Sequence, residues 1–406
     1  MPRYSRRISF GYCTDPLTGA SKQKRVTVSV EAPNKKEAER QLQRKIQDMR
    51  MVYHNTDKQE KSIIDLIERY HKDTALKPGT IARDRGCDKR IIKRFGHVSL
   101  YKIKIEDIMD FLQALSDREG LSAGTVHNYR KNLAKYFRYA FALRWVPEDI
   151  FATMKGRGIG CTPGYRVNQS HEKPNQIKQV IHYIMRVPDL RLSSIELKTQ
   201  VLLSLDCCLR TTELYGLKWS DFDMDAREVL IQRDLTVLTK KEAELQNVDR
   251  KILGATKTTG STRKLPLSKI TTEYLRLYYE ETSRYLAKKK LNNAGQIVFF
   301  QRRYCIAGQE VEPQTMAGLK TALRKISLEL GIPVVTPYDL RRYGRTIREN
   351  EDMYPDKASL YVIGHVRNKV DNLYVFERYT LAKKVHPIWE KALMSALGLK
   401  NESNQT

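Results

Sequence analysis

The chain is 406 residues long, which is too many for one compact core, so two or three domains are expected. It has 73 lysine and arginine residues against 47 aspartate and glutamate residues, a formal net charge of +26. Such an excess is typical of proteins that bind polyanions, most often nucleic acid. A basic protein at a membrane surface is the alternative, but there is no run of about 18 apolar residues and no apolar region of a secretory signal near the N-terminus.

The six cysteines are dispersed, and none of them belongs to a CxxC pair or stands at zinc-finger spacing from a histidine. They are Cys13, Cys87, Cys161, Cys207, Cys208 and Cys305. This pattern predicts reduced thiols in a cytosolic protein, and it predicts no metal site.

Residues 1–56 are predicted to form a small sheet backed by one helix. Apolar residues alternate in RISFGY and again in VTVSV, as in half-buried strands, and turn-forming residues separate the two stretches. Asn34 and Glu37 form a pattern like a capping box at the start of the helix. Because basic residues are concentrated here and strands fit a major groove, we expect a DNA-binding domain; a solubilising appendage is the alternative. The candidate contacts are Arg6, Arg7, Lys22, Lys24 and Arg25.

Residues 57–158 are predicted to be entirely helical. The clearest helix lies in SAGTVHNYRKNLAKYFRYAFALRW, where apolar and aromatic residues recur at helical spacing. Arg130, Lys131 and Lys135 lie mostly off that apolar stripe and are candidates for phosphate contacts. The alternative is an ordinary solvated face, and only the charge excess of the whole chain favours DNA.

A segment without apolar periodicity follows the helical region. The stretch MKGRGIGCTPGYRVNQSHEKPN is rich in glycine, and within it residues 159–174 are predicted to be a linker. This linker is either a passive tether or a hinge that lets two basic lobes close around a duplex.

Residues 175–406 are predicted to mix helices with a small sheet. Apolar residues at four-residue spacing in IELKTQVLLSLDCCL indicate a helix, and EVLIQRDLTV is predicted to be one strand. ILGATKTTGSTRKLPLS is predicted to be a hairpin with Thr-Gly-Ser at its tip. Helices resume near residue 271. The last of them, HPIWEKALMSALGL, has an apolar face that either packs on its own domain or docks on a neighbouring subunit.

Phosphate chemistry needs cationic donors, and three positions in this last region fit that need. Arg210 follows an apolar helix and precedes Thr-Thr-Glu, so Glu213 could hold its guanidinium group in place. Arg341, in TPYDLRRYGRT, lies just before another predicted helix, and Lys257 lies near the hairpin tip. Each position alone is weak evidence for a catalytic site, because most arginine and lysine side chains in so basic a chain are surface charges.

The stretch VIGHVRNKVDNLY places a histidine nine residues before a tyrosine. His365 can donate a hydrogen bond to an anionic oxygen, and Tyr374 offers a hydroxyl nucleophile. A free phenol has a pKa of about 10, so it needs cationic neighbours or a proton acceptor to react near neutral pH. The alternative is that Tyr374, one of 22 tyrosines, is a packing residue. The combination of His365 and Tyr374 with Arg210, Lys257 and Arg341 in one predicted domain favours a catalytic role for these residues.

The order of these residues resembles that of the tyrosine recombinases, the lambda-integrase type of site-specific DNA recombinase. CCLRTTELYGLKWSDFD is similar to the family's first arginine box, with Arg210 and Glu213. TKTTGSTRKLPL is similar to the hairpin that bears the family's lysine, here Lys257, and TPYDLRRYGRT resembles the second arginine box, with Arg341. IGHVRNKVDNLY resembles the final box, in which a histidine precedes the nucleophilic tyrosine.

The resemblance extends over nearly the whole chain and implies a multidomain, mainly α protein with small sheets. Residues 1–56 would be an arm-type DNA-binding domain of sheet and helix, and residues 57–158 a helical core-binding domain. Residues 175–406 would be a mixed α+β catalytic domain that ends in a docking helix.

The resemblance also implies a role for each candidate residue. Tyr374 would attack a DNA phosphate, form a 3′-phosphotyrosine and free a 5′-hydroxyl. Arg210 and Arg341 would hold the non-bridging oxygens, Lys257 would protonate the leaving 5′-oxygen, and His365 would hydrogen-bond the phosphate. Because the covalent bond stores the cleaved ester, neither a metal nor any other cofactor is expected.

Two positions depart from the family's usual pattern. Tyr338 stands where the second arginine box usually has a histidine, and Arg342 stands where a second histidine often follows. A tyrosine can donate one hydrogen bond there, but it is a poor base near neutral pH. Tyr379 is a competing nucleophile, and the spacing from His365 favours Tyr374.

The function that the resemblance implies is integration and excision of a mobile element. The implied partners are double-stranded DNA with core-type and arm-type sites, further copies of the chain in a homotetramer on synapsed DNA, and an excisionase or a host DNA-bending protein. No membrane is involved, and the expected location is the nucleoid in a bacterial cytoplasm. The alternatives are a relaxing enzyme like the type IB topoisomerases and a non-enzymatic DNA-binding regulator.

Overall fold

The computed structural model describes residues 2–14, 21–56, 61–152, 173–256, 261–365 and 375–399. The chain divides into two compact units, Met1–Asn168 and Gln169–Thr406. It is mainly helical with small sheets, as the sequence predicts. Among the described residues, no helix is long and apolar enough to cross a bilayer.

The first unit begins with a two-stranded antiparallel sheet and one helix, as the alternating apolar residues predict. These elements are β1 (Arg3–Thr14), β2 (Ser21–Glu31) and α1 (Lys35–Thr56). Ile8 lies opposite Val26 in the ladder, so both apolar side chains project from one face of the sheet. Val28, Leu42 and Ile46 form a small buried core between that sheet and α1.

Residues 61–152 form a helical bundle around a second apolar core. Its helices include α2 (Ile63–Asp73), α3 (Pro78–Phe95), α4 (Ile105–Asp117) and α5 (Ala123–Ala142). The apolar stripe of α5, with Tyr129, Tyr136 and Phe137, is buried in this core against Leu66 and Ile91. The helical prediction for this region is therefore confirmed in the part that the structure describes.

Side-chain caps begin several of these helices. The Asn34 side-chain oxygen accepts a hydrogen bond from the Glu37 N–H at 2.9 Å, just before α1. Ser62 and Asp65 form a reciprocal capping box at the start of α2, and the Ser122 hydroxyl caps α5. These caps satisfy backbone N–H groups that have no partner within the helix.

In the part of the chain that the structure describes, the second unit combines helices with two small sheets. Its helices include α6 (Lys173–Arg186), α7 (Leu192–Asp206), α8 (Thr211–Leu214), α9 (Lys240–Gln246), α10 (Lys269–Lys289), α11 (Ala317–Glu329), α12 (Pro337–Glu349), α13 (Asp356–Val362), α14 (Val375–Lys384) and α15 (His386–Leu397). Its strands include β3 (Phe222–Asp223), β4 (Glu228–Ile231), β5 (Arg233–Val237), β6 (Lys251–Ala255) and β7 (Arg263–Pro266). α6 begins inside the segment whose composition predicts a linker.

The prediction of one strand in EVLIQRDLTV is wrong, because the stretch forms two strands that belong to different sheets. β4 lies between β3 and β7, whereas β5 pairs with β6. The chain leaves the ladder at Gln232, whose side chain donates to Asp221 at 2.8 Å, and Arg233 pairs with the same carboxylate. Neighbouring residues of a regular strand point to opposite faces, so they could not share one partner without this break.

The predicted hairpin in ILGATKTTGSTRKLPLS is also wrong in its pairing. β6 pairs with β5 and β7 pairs with β4, so the two arms flanking the turn belong to different sheets. Apolar alternation identifies a strand, but it does not specify which strand will be its partner. The tip of this stretch, with Lys257, lies outside the described residues.

The core of the second unit lies around α7, which is buried over most of its length. α15 packs within the same unit, where the indole N–H of Trp389 donates to Asp206 at 2.6 Å. The guanidinium group of Arg348 lies over the Trp389 ring, 3.4 Å from its centroid. In this structure the apolar face of the last helix packs on its own domain.

Candidate active site

Arg210 lies in the short turn between α7 and α8. Cys208, just before it, has a left-handed backbone with φ of 46°, which redirects the chain at the end of α7. Arg210 directly precedes α8, as the sequence predicts, and its backbone N–H donates to Glu213 Oε2 at 2.9 Å. Glu213 thus holds the backbone that presents the Arg210 side chain.

The carboxylate of Glu213 contacts three guanidinium groups. Its oxygens lie 2.5 Å from Nη1 of Arg210, 3.1 Å from Nη2 of Arg263 and 3.7 Å from Nη1 of Arg341. Burial would raise the pKa of Glu213, but Arg263 and Arg210 outweigh burial and hold that pKa below its ordinary value. The ionised carboxylate therefore gathers the arginines, which is the arrangement that its predicted supporting role needs.

Arg341 is buried at the centre of this group, near the start of α12. Its guanidinium group donates to the Cys208 carbonyl and, at 2.6 Å, to the Ile363 carbonyl. Burial first, and then the charge of Arg210, lowers the pKa of Arg341 to about 10, so the side chain is still cationic at neutral pH. The two carbonyls fix the orientation of this guanidinium group, and Arg341 is only 5% exposed.

Arg263, at the start of β7, is a site residue that our sequence reasoning missed. Its side chain is 0% exposed. Besides Glu213, it donates to the Ser261 carbonyl at 2.7 Å and to the Val362 carbonyl at 2.8 Å. A usable signal was present, since Arg263 alternates with the buried Leu265 and so falls on the inward face of its strand.

Arg210, Arg263, Arg341 and Glu213 are called the arginine cluster below. Three guanidinium charges against one carboxylate leave two positive charges without a counter-charge inside the cluster. The Arg210 side chain is 29% exposed, so the cluster opens to solvent through this residue, whose Nη1 also donates to Ser261 Oγ at 3.1 Å. Such a cluster is suited to an anionic ester with two free oxygens.

His365 follows α13 and lies within electrostatic range of the arginine cluster. Its backbone N–H donates to the Leu360 carbonyl at 3.0 Å, which fixes the chain at this point. Burial lowers the pKa of the imidazole, and the charges of Arg341 and Arg210 lower it further. The ring is therefore neutral near pH 7, with one nitrogen available as a donor and the other as an acceptor.

We expect the stability of the protein to fall as the pH is lowered below about 6.5, in part because of His365. The fold favours the neutral ring, so this contribution is complete above the unfolded pKa and is lost as the pH falls towards the lower folded pKa. His365→Gln should make the unfolding midpoint less dependent on pH between about 7.5 and 5.5. Burial also lowers the pKa of His386, so some dependence will remain. If the unfolding midpoint of His365→Gln depended on pH as steeply as that of the parent protein, the expectation would be contradicted.

Two of the predicted catalytic residues, Lys257 and Tyr374, lie outside the described residues. Ser261, four residues after Lys257, accepts a hydrogen bond from Arg210 of the cluster, and α14 begins directly after Tyr374. Tyr338, at the second position of α12, is 60% exposed. The structure thus brings together Arg210, Glu213 and Arg341, places His365 within electrostatic range of them, and leaves Tyr338 at the surface.

Tyr379, the competing nucleophile, has its hydroxyl engaged elsewhere. The hydroxyl donates to the carboxylate of Glu228 on β4. Burial and this hydrogen bond raise the pKa of Tyr379, which makes its nucleophilic phenolate harder to form. These contacts favour Tyr374 over Tyr379.

The candidate DNA contacts in the N-terminal sheet lie on its two strands. Arg6 and Arg7 are exposed on β1, and Arg25 is exposed on β2. Lys22 and Lys24 also belong to β2, but their side chains lie outside the described residues.

The three candidates on α5 differ in their surroundings. Lys131 is exposed, whereas Arg130 is half-buried. Lys135 lies 2.5 Å from the buried carboxylate of Asp84 and stacks over the ring of Tyr70. Lys131 is therefore a better candidate for a phosphate contact than Lys135, whose charge is already paired.

A mainly helical chain of two units, with guanidinium groups gathered on one carboxylate beside a histidine, has the architecture of a tyrosine recombinase. Residues 173–379, just over half of the chain, match the model of the phage integrase family, and the chain belongs to that family. The fold class and family predicted from the sequence are thereby confirmed.

A curated relative is the tyrosine recombinase XerC-like protein of Caldanaerobacter subterraneus subsp. tengcongensis, 26% identical over 245 residues. The match covers 57% of this chain and 59% of the relative, so the chain spans less than two thirds of the relative's length.

Solved structures of two integrases share the fold. The Tn1549 transposon integrase in complex with circular intermediate DNA has a TM-score of 0.58 at 16% identity and covers 80% of this chain and 99% of that one. A lambda integrase dimer bound to a COC′ core site has a TM-score of 0.51 at 16% identity and covers 90% and 92%. A lambda integrase tetramer bound to a Holliday junction has a TM-score of 0.50 at 15% identity and covers 88% and 93%.

Proposed function

We propose that this chain is a site-specific recombinase that cleaves and rejoins DNA through a 3′-phosphotyrosine, and so integrates and excises a mobile element. The observation that carries the proposal is the arginine cluster, in which Glu213 holds Arg210 and Arg341 around an excess of positive charge. A phosphodiester supplies one negative charge, and its transition state for substitution supplies two. The cluster therefore matches the transition state better than the ground state.

In the cleavage step, the Tyr374 oxygen attacks the phosphorus in line and the bond to the 5′-oxygen breaks. The products are a 3′-phosphotyrosine and a free 5′-hydroxyl. Arg210 and Arg341 bind the non-bridging oxygens while negative charge accumulates on them. Arg263 does not need to contact DNA in this scheme, because its donors are directed to Glu213 and to backbone carbonyls.

Two proton transfers complete the step. Lys257 donates a proton to the leaving 5′-oxygen, as a general acid. The phenol of Tyr374 must lose its proton, and His365, whose lowered pKa keeps it neutral, can accept that proton on one nitrogen. In the reverse reaction a 5′-hydroxyl from another strand attacks the phosphotyrosine, so rejoining needs no external energy source.

Exchange of strands between two duplexes requires more than one protomer. Each duplex is cut in both strands, so a synapse of two duplexes would contain four copies of the chain. The tetrameric lambda integrase bound to a Holliday junction supports this stoichiometry by analogy of fold. We further propose arm-type DNA contacts through the N-terminal sheet, an excisionase or DNA-bending partner, and action on the bacterial nucleoid.

A recombination assay separates this function from its alternatives. Purified protein is incubated with two DNA molecules that carry the attachment sites, and recombinant junctions are counted by sequencing. A supercoiled plasmid in a parallel reaction reports relaxation. Junctions between the two DNAs support the integrase, relaxation without junctions indicates a topoisomerase-like enzyme, and binding without either product indicates a regulator.

The DNA-binding part of the proposal predicts different behaviour for two lysines on one face of α5. Lys131→Ala should weaken binding of duplex DNA and lower the slope of log affinity against log salt by about 0.9, the value for one lost phosphate contact. Lys135→Ala should leave that slope unchanged, because Lys135 neutralises Asp84. Fluorescence anisotropy titrations at several salt concentrations measure both slopes.

The two lysines serve as controls for one another, since they lie four residues apart on the same helix. Lys135→Ala leaves Asp84 without its partner, so its thermal midpoint should drop while its salt slope stays normal. Equal slopes for Lys131→Ala and the parent protein would remove α5 from the proposed DNA surface.

A further inference from the structure

The carboxylate of Glu228 joins two elements that adjoin catalytic segments of the chain. Glu228 is the first residue of β4 and is 5% exposed. One carboxylate oxygen lies 2.5 Å from Nζ of Lys264 on β7. The other accepts a hydrogen bond from the hydroxyl of Tyr379 and, at 2.8 Å, one from Nζ of Lys383, both on α14. These four side chains are called the Glu228 clasp below.

The carboxylate of Glu228 is ionised at neutral pH. Burial would raise the pKa of Glu228, but hydrogen bonds from Lys264, Lys383 and Tyr379 outweigh burial and lower the pKa to about 2. The two ammonium groups also lie 5.7 Å and 5.9 Å from the centroid of the Tyr379 ring. Both the ion pairs and the ring contacts therefore hold α14 against the sheet of β4 and β7.

α14 is the helix that follows the proposed nucleophile. α14 begins at Val375, so it is joined directly to Tyr374. Tyr379 and Lys383 lie four residues apart and hence on one face of α14, which is the face held by Glu228. Because the backbone is continuous, a shift of the start of α14 by an ångström or so shifts the nucleophile's backbone by a similar distance.

The helix upstream of Tyr374, α13, is also anchored on β7. The hydroxyl of Tyr361, on α13, donates to the Lys264 carbonyl at 2.9 Å. Nε of Arg263 donates to the Val362 carbonyl at 2.8 Å. Two anchors therefore flank the segment that carries Tyr374 in the sequence. The first consists of the two hydrogen bonds between α13 and β7, and the second is the Glu228 clasp.

We propose that Glu228 is a positioning residue for the nucleophile, because it fixes α14, the helix that directly follows Tyr374 in the chain, on β4 and β7. The inference rests on the proposed function, since it takes Tyr374 as the nucleophile. A purely structural ion pair would change the stability of the second unit. A positioning residue also changes the rate of the chemical step when the protein is saturated with DNA.

The test compares variants of the full-length chain on a nicked suicide duplex, which traps the covalent adduct. Glu228→Gln keeps the shape of the side chain and removes its charge. At saturating DNA, the rate of adduct formation should fall roughly 10- to 100-fold while the dissociation constant for DNA stays the same. Lys383→Met, at a side chain that is 57% exposed and so of little risk for folding, should lower the rate in the same direction.

Amide hydrogen exchange provides a second readout that a general loss of stability would not reproduce. In Glu228→Gln the amides of α14 should exchange faster, whereas those of α7 should keep the parent rate. Exchange that rises equally in α7 and α14 would mean that Glu228 only stabilises the fold, and the positioning role would be abandoned.

Glu390→Gln is the matched control. Glu390, on α15, also joins separate elements, since it lies 3.0 Å from Nη1 of Arg227 and accepts from the Lys269 N–H at 2.6 Å. Its loss should leave the adduct rate unchanged. A fall in rate equal to that of Glu228→Gln, or a fall explained by weaker DNA binding, would overturn the positioning role.

The outcomes also separate this inference from the proposed function. If the parent forms the adduct and both Glu228→Gln and Lys383→Met form it at the parent rate, the positioning role is wrong and the recombinase proposal stands. If the parent forms no adduct at all, the recombinase proposal itself fails, and the inference fails with it.

Discussion

Tyr374→Phe should abolish the covalent protein–DNA adduct, with a loss in adduct rate on the order of 10³-fold or more. The reason is the chemistry of the intermediate, which needs an oxygen nucleophile at this position. The measurement uses the nicked suicide duplex, from which the short 5′-hydroxyl fragment escapes after cleavage. The trapped adduct migrates slowly in a denaturing gel, and mass spectrometry of the digested adduct identifies the modified peptide.

The loss should be confined to chemistry. Phenylalanine lacks only the hydroxyl, so the basic surfaces and the arginine cluster remain available to DNA. The dissociation constant of Tyr374→Phe for duplex DNA should therefore stay within about threefold of the parent value, a change smaller than 1 kcal/mol.

Tyr379→Phe is the control, because it removes the same atom from a tyrosine five residues away. Its hydroxyl belongs to the Glu228 clasp and its pKa is raised, so we expect slower adduct formation but not its loss. The modified peptide in that variant should still contain Tyr374. An adduct that survives Tyr374→Phe, or that maps to Tyr379, would disprove the assignment of the nucleophile.

Sequence reasoning located the parts of the site that short local patterns encode. Arg210 and Glu213 lie three residues apart at a helix start, where a carboxylate can cap the backbone and hold the guanidinium group at once. Arg341 lies near the start of a capped helix, and His365 follows the end of another. Each of these environments is specified within about one helical turn of the residue, so the motif is enough to find it.

Arg263 shows what local patterns do not reveal. In sequence it is one more basic residue beyond a turn, in a chain with 73 lysine and arginine residues. Its role depends on contacts with Glu213 and Val362, which are 50 and 99 residues away. The pairing of β4 with β7 and the Asp84 partner of Lys135 were missed for the same reason, since both depend on contacts between distant parts of the chain.

The second large effect expected is that of Arg341→Lys, which should lower the rate of adduct formation by roughly 10²- to 10³-fold. Lysine keeps the positive charge but lacks the planar fork of donors. The guanidinium group of Arg341 donates to the Cys208 and Ile363 carbonyls and also faces Glu213. An ammonium group carries its three donors on one nitrogen, so it cannot occupy both of the positions from which Nη1 and Nη2 of Arg341 bind the two carbonyls.

The charge balance of the cluster explains why the loss should appear in the rate and not in DNA affinity. The cluster has an excess of two positive charges, and the ester gains its second negative charge only in the transition state. Displacing the positive charge at position 341 therefore raises the free energy of the transition state more than that of the DNA-bound ground state. Affinity depends on many phosphate contacts across the basic surface, so the dissociation constant should change by less than about threefold.

Arg342→Lys is the matched control, since Arg342 is the next residue along α12 and is exposed. Single-turnover adduct formation at saturating DNA should proceed at nearly the parent rate in this variant. The thermal midpoint of Arg341→Lys should also drop, because a buried carbonyl that loses its donor costs about 1–3 kcal/mol. If Arg341→Lys lowered stability but cleaved DNA at the parent rate, Arg341 would be a structural residue. The catalytic function of the cluster would then have to rest on Arg210 alone.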